Sequence, residues 1–266
     1  KALDKLNESF NVIHFIPGNH DEYHRDKRDY NSIAFIKKYE NIQFYNDITT
    51  VVNVAFVPWL VGDEHKQMQK ITADYVIGHF ELPHFYMNAM VQMPDHGELN
   101  HSDFGRCGTV FTGHFHKRQE RDNVVYTGNA FPHNYSDAND FRRGYMLLEH
   151  GGDPVYHDWP HMPVYQTLKL SEVLHNTSIL KKRAYVRVDI DTEITYEESN
   201  FVKDTFIGQY KLREMTFMQQ RDITQHDSTE LSQAFESIDE IVHNQIQAVD
   251  SEHYDSHLLL EIYKNL

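Results

Sequence analysis

Three short segments of the chain combine glycine with side chains that can bind metals. They are Gly-Asn-His-Asp at 18–21, Gly-His-Phe-Glu at 78–81 and Gly-His-Phe-His at 113–116. Each follows a short apolar run typical of a buried strand, and glycine lets the backbone turn sharply where the strand ends. We expect four of these side chains to converge as metal ligands: Asn19, His79, His114 and His116. Imidazole nitrogens combined with an amide oxygen suit manganese, iron or zinc better than calcium.

The number of histidines is itself weak evidence for a metal site. The chain carries 19 histidines, and most of them fit an ordinary place on a protein surface. A single Gly-His pair also fits a loop in which histidine caps a strand by hydrogen bonding. The three segments together, each placed after a predicted strand, favour a shared metal site over that alternative.

Length and composition limit the classes of protein. A chain of 266 residues with 40% hydrophobic and 24% charged residues predicts one or two globular domains. Its longest apolar runs fall short of the roughly 18 to 20 residues that span a membrane. The single cysteine, Cys107, excludes a disulfide framework and fits a reducing compartment. With no visible signal peptide, we expect a cytoplasmic protein that does not contact membranes.

The net charge constrains how the protein could act on nucleic acid. Twenty-five basic and 40 acidic residues give a formal charge of −15. A protein this acidic does not grip DNA through a general excess of lysine and arginine. A role on nucleic acid would therefore depend on bound metals or on a local basic patch.

The apolar segments predict an α/β fold or a mixed β-sandwich, with strands separated by short helices. Helical spacing marks 32–39 and 64–71. Short apolar runs predict strands at 11–16, 51–59 (two strands or a hairpin), 74–77, 109–112, 124–127 and 145–148. Ligands of open α/β sheets gather at the carboxyl ends of strands, which is where the three glycine-containing segments lie.

A change in composition near Gly151 and Gly152 predicts a domain boundary. We assign 1–160 to a catalytic core, 161–225 to a smaller α+β accessory domain and 226–266 to C-terminal helices. The later elements are a strand at 185–190, a polar helix at 197–217, an amphipathic helix at 231–249 and a short apolar helix at 258–266.

The three segments resemble the latter half of the signature of calcineurin-like metallophosphoesterases. More narrowly, the chain is similar to SbcD-type DNA-repair exonucleases and to phage recombination endonucleases. Phe56–Trp59, Tyr126–Asn129 and Arg143–Leu148 add to this resemblance, which covers residues 1 to about 150. It implies a β-sandwich flanked by helices, followed by a smaller capping domain.

The resemblance also implies roles for individual residues. Asn19, His79 and His114 match the ligands of one metal, and His116 matches a ligand of a second metal. His20 matches the histidine that steadies the transition state and protonates the leaving oxygen. Asp21 matches the acid that orients that histidine. Two such ions, most often Mn²⁺, clamp a phosphodiester and activate the attacking water.

The chain departs from the family pattern before Asn19. The first two family motifs, Asp-x-His and Gly-Asp-x-x-Asp, supply the remaining ligands and the bridging carboxylate, and neither precedes Asn19. We expect an N-terminal segment to be missing and the chain by itself to be inactive. Asn129 and Ala130 also replace the usual Ser-Pro pair, so the loop that faces DNA in the family differs here.

Four further side chains are candidates for contact with substrate: Arg25, Lys117, Arg118 and His133. All four follow closely after a motif or a predicted strand, where a phosphate backbone could be reached. The alternative for each is a solvated loop residue.

The resemblance implies a function for the whole protein. It would be a manganese-dependent DNA nuclease subunit, phage-encoded, with exonuclease or endonuclease activity at DNA ends in recombination and repair. We expect a homodimer that acts with an SbcC-type coiled-coil ATPase, in the host cytoplasm. The apolar helix at 258–266 would dock on that ATPase or pack on its own domain. Two alternatives stay open: an esterase acting on small phosphate esters, and a non-catalytic scaffold with an incomplete metal site.

Overall fold

The computed structural model describes residues 1–24, 26–87, 91–97 and 99–219, together with Ile246 and Leu260. Contacts group residues 1–220 into one compact unit and 221–266 into another. The helices predicted at 231–249 and 258–266, and Arg25, lie outside the described residues or almost wholly outside them. The fold below is that of the first unit.

The first unit contains fifteen strands in its described residues. In chain order, β1 to β15 are Ile13–Phe15, Glu22–His24, Lys27–Asn31, Ile42–Phe44, Thr49–Val51, Val54–Val57, Tyr75–His79, Thr109–Gly113, Gln119–Arg121, Val124–Tyr126, Gly144–Leu147, Val155–Asp158, Val164–Lys169, Ala184–Ile190 and Glu214–Gln219. Most of these strands are short, with three to six residues.

Helices are few and short. The α-helices are α1 (Ala2–Ser9), α2 (Leu170–His175) and α3 (Tyr196–Tyr210). Single 3₁₀ segments lie at Ala34–Lys38, Gly62–Lys70, His101–Phe104, Tyr135–Asp137 and Thr177–Ile179. None of the described helices is long and apolar enough to cross a membrane.

A six-stranded mixed sheet forms the centre of the fold. Its strand order is β5-β6-β7-β8-β10-β9. The four inner strands β6, β7, β8 and β10 run parallel, while the outer strands β5 and β9 pair antiparallel with their neighbours. Because the inner strands are parallel, their carboxyl ends lie along the same edge of the sheet.

Apolar side chains of this sheet form the larger of two cores. Val76, Val110 and Val124 are fully buried in three neighbouring strands, and the aromatic rings of Phe80 and Phe104 pack together with centroids 5.0 Å apart. Burial of β-branched and aromatic side chains on a pleated surface explains why these short runs form strands. The same core includes the single cysteine, Cys107.

A second core lies between a three-stranded parallel sheet and two helices. The strand order is β13-β14-β15, and β14 alternates buried and half-buried residues along its length. Leu170 and Val173 of α2 pack with Val186, Val188 and Met215 of the sheet. This core falls within the region predicted as an accessory domain, whose boundaries stay a prediction.

The mixed α/β architecture expected from the sequence is confirmed, and the predicted strands at 74–77, 109–112 and 124–127 match β7, β8 and β10. The calcineurin-like sandwich stays a prediction. The helix predicted at 197–217 is only partly correct, because α3 ends at Tyr210. Lys211 adopts a left-handed conformation (φ 53°) that ends the helix, and 214–219 pairs with β14 instead.

Candidate metal centre

The predicted ligands lie at one edge of the central sheet. His79 is the last residue of β7, and His114 directly follows β8. Asn19 follows β1, whose chain is joined to this edge because the Trp59 backbone N–H donates to the Pro17 carbonyl over 3.0 Å. The strand ends of the central sheet and the turn after β1 thus bring together residues that are up to 95 positions apart in the chain.

Asn19, His79 and His114 form a connected group that we call the amide–histidine cluster. The Asn19 Oδ1 atom lies 2.9 Å from Nε2 of His79 and 3.4 Å from Nδ1 of His114. The two imidazole rings meet edge to face with centroids 5.3 Å apart. One amide oxygen and two imidazoles are a donor set that suits Mn²⁺, Fe²⁺ or Zn²⁺, so these residues fit a divalent metal.

Two glycines make this approach possible. A Cβ atom on Gly18 would lie 2.8 Å from Cε1 of His79, and one on Gly113 would lie 3.0 Å from its Nδ1 atom. Side-chain carbon atoms do not come this close without displacement of a neighbour. The glycines are therefore required because the His79 ring packs directly against both strand ends.

Trp59 and Glu81 border the amide–histidine cluster. The indole of Trp59 lies 5.3 Å from the His114 ring and 6.0 Å from the His79 ring, centroid to centroid. The Glu81 carboxylate lies 3.5 Å from Nε2 of His114. Glu81 was not among the predicted site residues, although its place in Gly-His-Phe-Glu was a signal that it lies at the site.

The environment of His79 disfavours its charged form. Burial, together with the nearby His114 and His20 side chains, lowers the pKa of His79 from 6.5 to about 4. Burial and positive neighbours both penalise an imidazolium. His79 is therefore neutral at physiological pH, which is the form that binds metals.

The backbone at His114 lies in an unusual conformation. Its φ angle is 88°, in a region that residues with a Cβ rarely occupy. Such conformations persist only where the surrounding structure holds them, and they concentrate at functional sites. The backbone is thus turned sharply between the end of β8 and the two histidines that follow it.

His116 lies in a different group from the amide–histidine cluster. With His133 and Asp137 it forms what we call the carboxylate–histidine cluster, whose metal-capable atoms all lie within 4.8 Å of one another. The His116 Nδ1 atom is 3.0 Å from Oδ1 of Asp137, and the rings of His116 and His133 are 5.2 Å apart. The structure therefore places the fourth predicted ligand beside a carboxylate that sequence reasoning missed.

Asp137 is held by a buried arginine that sequence reasoning also missed as a site residue. The side chains of Asp137 and Arg143 are 1% and 2% exposed, and their oxygen and nitrogen atoms lie 3.3 Å apart. Arg143 also pairs with Asp140 at 3.0 Å and donates to the His116 carbonyl. Asp137 belongs to no motif, and Arg143 was noted only as the first residue of the segment Arg143–Leu148, so spacing carried no signal that the two residues pair.

The turn after β1 places the two predicted catalytic residues. His20 is exposed, and it is close enough to His79 to affect its pKa. The Asp21 carboxylate accepts a hydrogen bond of 2.7 Å from the Gly18 backbone N–H. Among the described residues this carboxylate contacts the turn and not the His20 ring, so orientation of His20 by Asp21 stays a prediction.

The predicted substrate-binding residues differ in how strongly other side chains of the protein already engage them. Lys117 lies over the Tyr86 ring at 4.9 Å. Arg118 is 3.2 Å from the Asp158 carboxylate and packs on Tyr156 at 4.1 Å, so a phosphate would have to compete with these partners. His133 is exposed next to His116.

A cleft of about 180 Å³ opens beside the amide–histidine cluster. Trp59, His65, His79, Glu81 and His96 are among the residues that line it. The cluster is therefore accessible from solvent, and the walls of the cleft carry both imidazole and apolar side chains.

Comparison with known proteins relates part of the chain to a phage protein. Over 158 residues the chain is 30% identical to exonuclease subunit 1 of Enterobacteria phage T4, a match that covers 56% of this chain and 45% of that protein. The chain thus spans less than half the length of the curated relative that it matches. No family model matches the chain. The match relates the chain to a phage nuclease subunit.

Proposed function

We propose that this chain carries part of the metal centre of a DNA nuclease of the calcineurin-like metallophosphoesterase type. Asn19, His79 and His114 would hold one divalent ion, and His116 would bind a second. Mn²⁺ is the ion that the resemblance favours. The main support for this proposal is the 2.9 Å contact of Asn19 Oδ1 with His79 Nε2, because it joins two motifs separated by 60 positions.

The relative supports the nuclease part of this proposal. That protein is named as an exonuclease subunit, which favours a phosphodiester in DNA over a small phosphate ester. The three motifs of the amide–histidine cluster and the phage relative point to the same reaction class. Hydrolysis of DNA ends in recombination and repair is the corresponding biological role.

The chain's own residues provide binding and proton transfer. When bound, divalent ions supply Lewis-acid polarisation of a phosphoryl oxygen. His20, exposed in the turn after β1, would donate a proton to the leaving 3′ oxygen as a general acid. The imidazoles of His79 and His114 would hold a cation without adding negative charge that repels the phosphate.

The acidic composition fits this arrangement. A chain with a net charge of −15 repels DNA over most of its surface. Local cations at the sheet edge would provide the attraction that the surface lacks, together with Lys117, which follows His116 in the chain, and His133, whose ring lies 5.2 Å from that of His116. Binding would then depend strongly on the metal.

We also propose that the protein acts as a subunit. The name of the relative describes one subunit of an exonuclease, and the resemblance implies an SbcC-type coiled-coil ATPase as partner and a homodimer as the nuclease. The host cytoplasm is the proposed location. The scaffold alternative predicts metal binding without DNA hydrolysis.

Hydrolysis of end-labelled linear duplex DNA by the intact protein with Mn²⁺ tests this proposal. We expect release of nucleotides that a chelator abolishes. His20→Ala should remove hydrolysis and leave Mn²⁺ binding in calorimetry unchanged. His175→Ala is the matched control, because His175 is an exposed histidine at the end of α2 and should change neither property.

Three outcomes would contradict the proposal. Hydrolysis of DNA by His20→Ala at the wild-type rate would exclude the proposed general acid. Rapid turnover of small aromatic phosphate esters with none of DNA would favour the esterase. Mn²⁺ binding without hydrolysis of either substrate would favour the scaffold.

A further inference from the structure

The carboxylate–histidine cluster has one contact that decides which nitrogen of His116 faces outward. The His116 Nδ1 atom lies 3.0 Å from Oδ1 of Asp137. An ionised carboxylate only accepts hydrogen bonds, so Nδ1 must carry the proton in this contact. In the neutral imidazole, the Nε2 atom is then left with its lone pair.

Burial separates the two ends of this contact. The His116 side chain is 33% exposed, whereas that of Asp137 is 1% exposed. The ring therefore stands at the boundary of the protein, with one side against a buried carboxylate. The proton-free nitrogen is on the side of the ring away from that carboxylate.

Asp137 cannot easily turn away from His116, because hydrogen bonds hold both of its oxygens. Oδ1 accepts from His116 and from the Arg143 guanidinium, 3.3 Å away. Oδ2 accepts a 2.9 Å hydrogen bond from the His133 backbone N–H. Both carboxylate oxygens are thus engaged by donors inside the protein.

Arg143 fixes the backbone of His116 as well as its ring partner. Its guanidinium donates to the His116 carbonyl, which also accepts a 3.1 Å hydrogen bond from the Asn129 N–H. The same guanidinium pairs with Asp137 and Asp140. One buried cation therefore holds the main chain of His116 and the carboxylate that orients its ring, and the two carboxylates leave this group with a net negative charge.

We propose that Asp137, held by Arg143, is a positioning residue that fixes the His116 ring with Nδ1 protonated and presents Nε2 to a divalent metal. This inference rests on the proposed function for the role of His116 as a ligand. Carboxylates that accept from the second nitrogen of a metal-binding histidine set its tautomer and raise its basicity. The alternative is a chelate in which Asp137 and His133 bind the ion directly.

The tautomer of His116 in the metal-free intact protein is the first test. Nitrogen NMR of the imidazole side chains, at a pH well above the usual histidine pKa of about 6.5, should show His116 with its proton on Nδ1. An Nε2–H tautomer in the wild-type protein would overturn the proposal. This measurement needs no variant and no nuclease activity.

The matched variants are Asp137→Ala and Asp140→Ala. Both remove one carboxylate that pairs with Arg143, but only the first removes the acceptor for His116. Asp137→Ala should give a mixture of tautomers and weaken Mn²⁺ binding by about 10- to 100-fold, with Asp140→Ala close to wild type in both. Identical tautomers and affinities in Asp137→Ala and wild type would overturn the proposal.

Loading with diamagnetic Zn²⁺ separates positioning from direct chelation. Positioning predicts that the His116 Nδ1–H signal persists while Nε2 shifts on binding. A chelate through Nδ1 predicts the reverse and would overturn the proposal. If DNA is not hydrolysed but these signals hold, the proposed function fails and the positioning role stands.

Discussion

The two clusters at the sheet edge are built on opposite electrostatic principles. In the amide–histidine cluster, the half-buried His79 lies against the Asn19 amide and is kept uncharged by its surroundings. The carboxylate–histidine cluster instead depends on a charge, because buried Asp137 and Arg143 hold His116 through an ion pair. Only one residue, Phe115, lies between His114 and His116, so the change occurs within one turn.

This difference predicts which cluster contributes more to the free energy of unfolding. Loss of a neutral hydrogen bond costs about 1 kcal/mol, whereas loss of one partner of a buried ion pair costs about 3 to 5 kcal/mol. We expect changes in the carboxylate–histidine cluster to affect stability first. Changes in the amide–histidine cluster should affect metal binding first.

The largest effect is expected for Arg143→Leu. It leaves the carboxylates of Asp137 and Asp140 without their shared cation, so the free energy of unfolding should fall by about 3 to 5 kcal/mol. Urea denaturation followed by circular dichroism measures this. Arg118→Leu is the control, because its partner Asp158 is 51% exposed and such pairs contribute at most about 1 kcal/mol. Equal losses in both variants would remove the distinction between the clusters.

The pH dependence of stability comes next. The folded-state pKa of His79 is about 4, below the value of about 6.5 expected for the unfolded chain. The unfolded state therefore binds more protons between these values, and stability falls as pH decreases from 6.5 towards 4, by roughly 3 kcal/mol from this residue.

The variant His79→Gln lacks this titratable group, so comparing it with the wild type isolates the contribution of His79. The difference in unfolding free energy between wild type and His79→Gln should change with pH across that window and be constant above it. Urea titrations at several pH values measure the difference. A difference independent of pH would show that His79 is not held neutral.

A smaller effect is expected for Gly18→Ala. The added methyl would lie 2.8 Å from the His79 ring, and such overpacking costs about 1 to 3 kcal/mol. Thermal unfolding and Mn²⁺ calorimetry should show lower stability together with weaker binding. Gly208→Ala is the control: it has open space around it in α3 and should stabilise by up to about 1 kcal/mol. Unchanged Mn²⁺ affinity in Gly18→Ala would argue against the packing described here.

The smallest effect on stability is expected for Asn19→Ala. It removes the amide oxygen that lies 2.9 Å from His79, at a cost of about 1 kcal/mol. Mn²⁺ binding by the amide–histidine cluster should nevertheless be lost, as calorimetry would show. A destabilisation as large as that of Arg143→Leu would mean that this cluster is also coupled to folding.

The sequence predicted the amide–histidine cluster because its residues follow apolar strands within recognisable motifs. Parallel pairing of β7 and β8, which the sequence analysis did not predict, then places His79 beside Gly113. The carboxylate–histidine cluster could not be predicted in this way. Asp137 belongs to a three-residue 3₁₀ segment. Its pairing with Arg143 and His116 depends on the path of the irregular segment between β10 and β11, which no regular sequence pattern specifies.

The local sequence pattern also gave a wrong prediction where pairing with a distant strand determines the structure. The stretch at 197–217 was predicted as one helix, but its last part joins the second sheet as β15. Met215 is fully buried there, and that burial could only be inferred with knowledge of the neighbouring strand β14. Polar and apolar residues alternate over 214–217, which favours a strand, but this short signal directly follows a longer helical pattern.

The central claim is that Asn19, His79 and His114 form a divalent metal site. Anomalous diffraction at the manganese absorption edge from crystals of the intact protein grown with Mn²⁺ tests it most directly. We predict an anomalous peak within about 2.5 Å of Asn19 Oδ1 and of one nitrogen from each histidine. Saturating Mn²⁺ with no peak at these three residues, or with peaks only elsewhere on the protein, would contradict the account.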